Sequence, residues 1–173
     1  MSNIPNILTL SRAIVALYIL IALPKGTPLI LLIIWAMASD FLDGFLARCY
    51  NWVSKFGAGF DLNTDGLFFF ASFWCFWHQG LLTGLWFGLI LLFSIPEIIA
   101  QGIFWLRKGQ GIGSPGKFWN RLLGAYSYLC VLGIALRLNA VWLVSIFLSL
   151  LITANGMDLY LSLTCNVSHE KKV

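Results

Sequence analysis

The sequence predicts an all-α integral membrane protein, a bundle of about six transmembrane helices with an N-terminal interfacial segment. Two observations and one constraint carry that expectation. Of 173 residues, 60% are hydrophobic and 10% charged, so eleven Lys/Arg and seven Asp/Glu are too few to cover a water-facing surface. Apolar runs at 29–38, 67–77, 81–95 and 140–154 each have room to extend toward the length that crosses a bilayer. Backbone amides in hydrocarbon must be satisfied within their own segment, which makes such runs helical.

Breakers set the boundaries. The first helix covers about 5–23, with Pro5 suited to a first turn, Asn3 as a cap, and Pro24-Lys25-Gly26 as its end. Ile4, Ile7 and Leu8 suit the membrane surface before the chain turns inward. Arg12 precedes an apolar stretch as in a signal peptide, but no small-x-small cleavage site follows, so the segment is expected to be retained. The second helix runs over about 28–48, the third over 57–77 and the fourth over 81–106. A Gly-rich loop, "RKGQGIGSPGK", leads to the fifth at 118–136, and the sixth covers 140–163 before a short polar tail. No repeat or linker divides residues 1–173, which are expected to form one domain. Cys49, Cys75, Cys130 and Cys165 have no metal or disulfide spacing, and the three that lie in or beside apolar helices read as small core residues.

Six spans place both termini on one side with the 2–3 and 4–5 loops. Nine basic residues, from Arg12 and Arg48 to Lys171 and Lys172, lie at or near that side, against Lys25 and Arg137 on the other. The positive-inside rule makes the crowded side cytoplasmic, as in a bacterial inner membrane. The net charge of +4 then reflects topology and anionic headgroups, with no nucleic acid implied.

Against this background, "SDFLDGFLARCYNWVSKFGAGFDLNTDGLFFF" at 39–70 gathers four of the seven acidic residues. Asp40, Asp43, Gly44, Ala47 and Arg48 are spaced i, i+3, i+4, i+7, i+8, one face of a helix. Gly57, Asp61 and Asp65 are spaced i, i+4, i+8, again one face. The two helices run antiparallel, so at 1.5 Å rise per residue both pairs reach roughly 6–12 Å below the same end. Each carboxylate near mid-bilayer costs about 2.5–3.5 kcal/mol, and four together repel unless cations intervene. All-oxygen ligands without nearby His or Cys favour Mg²⁺ or Mn²⁺, and two such ions can clamp phosphates during a displacement. Gly44 and Gly57 leave room for a ligand to approach backbone, and Arg48 offers a forked donor for phosphate.

Two other readings compete. A structural charge cluster would set only Arg48 against four carboxylates. A cation transporter would use intramembrane carboxylates, though it would place them at the midplane and show broken helices or an inverted repeat.

Residues 40–65 read D-x2-D-G-x2-A-R-x8-G-x3-D-x3-D, and this pattern resembles the signature of the CDP-alcohol phosphotransferase family at all eight defining positions. The size and six-helix layout are similar to the family core, and the start "NIPNILTLSR" is similar to the openings of bacterial phosphatidylglycerophosphate synthases and related cardiolipin synthases. The resemblance implies transfer of a phosphatidyl group from CDP-diacylglycerol to a small alcohol, with release of CMP. It implies that Asp40, Asp43 and Asp61 hold metal, and that Asp65 contacts metal and takes the proton of the attacking hydroxyl. Asn6, Ile7, Leu8, Thr9, Gly44, Arg48, Ser54 and Gly57 match or adjoin positions that cradle the CDP part of the donor. Lys108, Lys117 and Arg121 flank the 4–5 loop, where the resemblance implies a site for the phosphate of glycerol 3-phosphate; headgroup contact is the alternative role for each.

This chain departs from that subgroup at Gly66, where Lys is usual, at Asn120, where Thr is common, and in "SIPEII", which lacks an Arg-Glu pair. Inositol, inositol phosphate, phosphatidylglycerol or another polyol therefore remain alternative acceptors. Glu97 lies inside a span and is expected to be functional or paired with Arg107 or Arg121. The family is often dimeric, so a homodimer is a further expectation of the resemblance.

Overall fold

Caps and breakers place six helices along the chain. The structure, a computed structural model, describes residues 4–49, 55–108 and 117–170, with side chains described over 7–42, 63–96 and 122–157 and at Phe45 and Cys49. Among these residues there are six α-helices and no strand: α1 (Ile4–Ala22), α2 (Thr27–Cys49), α3 (Lys55–His78), α4 (Gly84–Lys108), α5 (Lys117–Ala135) and α6 (Ala140–Glu170).

The turns explain the ends. Gly26 and Gly80 take the left-handed conformation (φ 63° and 71°) that glycine adopts without a Cβ clash. After Gly80, the Leu81 amide donates back to the Phe76 carbonyl at 2.9 Å, closing the end of α3. Arg137 accepts the same strained region (φ 60°) at the end of α5, with Leu138 donating to Gly133. Asn139 Oδ1 then caps α6 by accepting from the Val141 amide at 3.1 Å. The sixth helix does not stop near 163. It continues to Glu170, because no Pro or Gly interrupts residues 158–170 and polarity alone does not break a helix.

α1 packs against α3 and α2, α5 against α6, α2 and α3, and α4 against α6 and α3. Buried Ala16 and Ile19 of α1, Leu29, Ile33 and Ala36 of α2, and Phe68, Ala71 and Cys75 of α3 recur at helical spacing and share one core. Val131 and Ile134 of α5 meet Val144 and Phe147 of α6 in the same core. At the α5–α6 crossing, a Cβ on Gly133 would lie 2.7 Å from Leu143 Cδ1, so that position keeps the helices close. Pro96 lies inside α4 and removes one helical hydrogen bond; nearby, Asn155 of α6 donates to the Phe93 carbonyl at 3.2 Å.

Every helix also turns large apolar side chains outward, among them Ile14, Ile34, Phe70, Leu85, Leu129 and Ile152. Water solvates such a surface poorly. Among the described residues, one helix is long and apolar enough to cross a membrane, over Ala140–Met157. Shorter apolar stretches lie at Ile7–Ala22, Thr27–Leu42, Gly84–Pro96 and Leu122–Ala135. The bounds at Ile7, Leu42, Pro96, Leu122 and Met157 are also the limits of the described side chains.

Candidate functional site

Among the described residues, α2 and α3 do not pack closely on each other. They are held apart by α1 on one flank and α5 on the other, each of which contacts both. Side chains from the flanking helices reach into this space instead.

The first is Arg12 of α1. Its side chain is 0% exposed, yet it carries a full charge, which needs close partners in such a setting. Arg12 Nη1 donates to Asp40 Oδ1 at 3.1 Å and also to Asp65 Oδ1. One guanidinium nitrogen thus joins the first and last carboxylates of the motif, which are 25 positions apart in sequence. The second is Tyr128 of α5, buried, whose hydroxyl donates to the same Asp65 Oδ1 at 3.2 Å. Four helices therefore meet at one polar node.

Its depth follows from the helix ends. Arg12 lies eight residues from Ile4, Asp40 nine from Cys49, Asp65 ten from Lys55 and Tyr128 eleven from Lys117. At 1.5 Å per residue these are about 12–17 Å from one common end of the bundle. The node is somewhat deeper than motif spacing alone suggests, because α2 and α3 extend past the motif toward that end. The carboxylates keep a route outward, with 35% of the Asp40 side chain and 25% of the Asp65 side chain exposed.

Of the predicted donor-cradle residues, Thr9 is buried on the face of α1 that carries Arg12, Leu8 is half-buried, and Ile7 points outward. Asp43 lies on α2 about one turn nearer the common end than Asp40, and Asp61 on α3 one turn nearer than Asp65. The side chains of Asn6, Asp43, Gly44, Arg48, Gly57, Asp61, Lys108, Lys117 and Arg121, and all of Ser54, lie outside the described residues, as do those of Glu97 and Asp158.

Among the described residues no group of three or more His, Cys, Asp or Glu could hold a metal ion. The pair that is described fits a hard cation in kind: two carboxylates drawn to one positive centre, with oxygen donors only. Arg12 supplies a second counter-charge beside Arg48, so the motif is less unbalanced than its own residues suggest. Sequence reasoning assigned Arg12 to topology and passed over Tyr128. Arg12 had a usable signal, since it sits one turn after Thr9 and one turn before Ala16 on a face that must be buried. Tyr128 had none, being 63 positions from Asp65 in an aromatic-rich chain.

Residues 2–164 match the sequence profile of the family described as CDP-alcohol phosphatidyltransferase. A CDP-diacylglycerol–glycerol-3-phosphate 3-phosphatidyltransferase of Aquifex aeolicus is 36% identical over 110 residues, which are 61% of this chain and 61% of that protein. Proteins of the same description from Rickettsia felis and Rickettsia typhi are 40% identical over 70 residues and 39% identical over 72. Those matches cover 38% and 39% of this chain, and 39% and 40% of the relatives. The aligned segments thus span less than two thirds of each of these relatives.

Proposed function

The chain belongs to the CDP-alcohol phosphatidyltransferase family, and from that membership we propose that it transfers a phosphatidyl group from CDP-diacylglycerol to glycerol 3-phosphate. The observation that carries the reading is the convergence of Asp40 and Asp65, the outer carboxylates of the motif, on one node in a gap between α2 and α3. Relatives described by this reaction support glycerol 3-phosphate over inositol or an uncharged polyol.

In this reading the acceptor hydroxyl attacks the phosphorus that bears diacylglycerol. The new P–O bond forms as the bond to CMP breaks, and Asp65 takes the hydroxyl proton. Asp40, Asp43 and Asp61 would hold Mg²⁺ or Mn²⁺, and Asp65 would contact metal as well as accept the proton. When bound, the ions supply charge neutralisation on the transferring phosphoryl group and the departing CMP. Arg48, Gly44, Gly57, Ser54 and the Asn6–Thr9 stretch hold the CDP moiety, and Lys108, Lys117 and Arg121 hold the acceptor phosphate. Arg12 ties α1 to the two carboxylates and keeps them facing the gap.

The outward apolar faces are proposed to contact lipid, with the bundle crossing a bacterial membrane and the site opening toward the cytoplasmic face. That location suits a donor whose tails lie in hydrocarbon and whose pyrophosphate lies at the interface. A panel of acceptors offered to the purified chain with CDP-diacylglycerol tests the assignment. Glycerol 3-phosphate is expected to support the fastest CMP release. Faster release with inositol, inositol phosphate or phosphatidylglycerol would reassign the acceptor within the family.

A further inference from the structure

We infer that Tyr128 is a positioning residue for the transfer, its hydroxyl acting with the Arg12 guanidinium to fix the rotation of the Asp65 carboxylate. The inference rests on the reading of Asp65 as the group that accepts the proton. The terminal torsion of an aspartate is broad, so a carboxylate held by one donor can still swing about its Cβ–Cγ bond. Here two donors reach the same oxygen, Oδ1, from different helices on opposite flanks of the gap: Arg12 Nη1 from α1 and the Tyr128 hydroxyl from α5, the latter at 3.2 Å. Fixing one oxygen in this way sets the direction in which the other points. A proton acceptor gains from that, because its alignment with the attacking hydroxyl governs transfer.

The tyrosine is itself well placed. Its ring lies 5.8 Å from that of Phe68 and 4.9 Å, edge on, from that of Phe69. Both phenylalanines follow Asp65 by about one turn of α3, so the helix that carries the carboxylate also locates the hydroxyl. Ring packing alone would be served equally by phenylalanine. A buried hydroxyl requires a partner, and here that partner is the carboxylate rather than a backbone carbonyl. Tyr126, two residues earlier on α5, provides the contrast. Its hydroxyl donates to the Leu143 carbonyl at 3.1 Å and links α5 to α6 away from Asp65.

The test compares wild type, Tyr128→Phe and Tyr126→Phe as purified full chains in detergent, with Mg²⁺, CDP-diacylglycerol and glycerol 3-phosphate. Tyr128→Phe is expected to lower kcat on the order of tenfold with KM for both substrates within about twofold. Tyr126→Phe, which loses a comparable hydrogen bond, is expected to keep kcat within about twofold of wild type. A readout without turnover is the infrared carboxylate band that disappears in Asp65→Asn. It should shift in Tyr128→Phe and stay in place in Tyr126→Phe. An unchanged band, unchanged kcat, or losses that appear equally in both tyrosine variants would overturn the inference while leaving the transferase reading intact. A wild-type chain that releases no CMP overturns both.

Discussion

Arg12 and Asp65 define what single side chains contribute. A buried guanidinium shared by Asp40 and Asp65 ties three helices through charged hydrogen bonds. The two carboxylates remain partly exposed. Asp65→Asn removes the negative charge but keeps an oxygen that can accept from Tyr128. CDP-diacylglycerol should therefore still bind, while turnover falls about 100-fold or more; near-normal turnover would move the base to another residue. The proposed acceptor site makes a separate prediction. Lys117 and Arg121 are four residues apart on α5 and share a helical face. Alanine at either should raise KM for glycerol 3-phosphate about tenfold, since a hydrogen bond to a charged group contributes roughly 1.5–3 kcal/mol. KM for CDP-diacylglycerol should change much less, and equal losses for both substrates would point to headgroup contact or folding. The motif carboxylates were legible in sequence because their spacing defines a helical face. Arg12 was counted only for topology, because its ties to Asp40 and Asp65 join residues 28 and 53 positions away and leave no local pattern.

At the scale of the element, the helices were readable from Pro, Gly and polar breakers, but their neighbours were not. Local spacing shows which residues share a face and cannot show that α1 and α5 separate α2 from α3. That arrangement rests on contacts between residues far apart in sequence. The end of α6 was placed too early for a related reason, as a polar tail and a polar helical turn have the same composition. The two faces of α5 can be compared directly. Ile134 is buried against the core and Leu129 points outward, five residues away on the same helix. Ile134→Ala should lower stability in detergent by about 2–5 kcal/mol through the cavity it leaves. Leu129→Ala should cost under about 1 kcal/mol, as an outward side chain loses little packing. Thermal unfolding of the two variants decides this, and equal losses would mean that the inward face of α5 is wrongly assigned.

For the whole molecule, six helices with apolar side chains facing outward surround a partly exposed polar node. A soluble protein would hide those side chains and has little use for carboxylates at that depth. An enzyme acting on a lipid pyrophosphate requires both features, because its substrate straddles the boundary between hydrocarbon and water. The transporter alternative shares the intramembrane carboxylates but predicts ion flux without a covalent product. The measurement that separates these accounts most directly follows phosphorus. CDP-diacylglycerol labelled in the phosphate that bears diacylglycerol is incubated with the purified chain, glycerol 3-phosphate and Mg²⁺ or Mn²⁺. The label should appear in a lipid that also contains the glycerol phosphate, with one CMP released per product, and excess chelator should abolish both. Label recovered only as phosphatidate, or transfer undiminished by chelator, would contradict a metal-dependent phosphatidyl transfer built on these four aspartates.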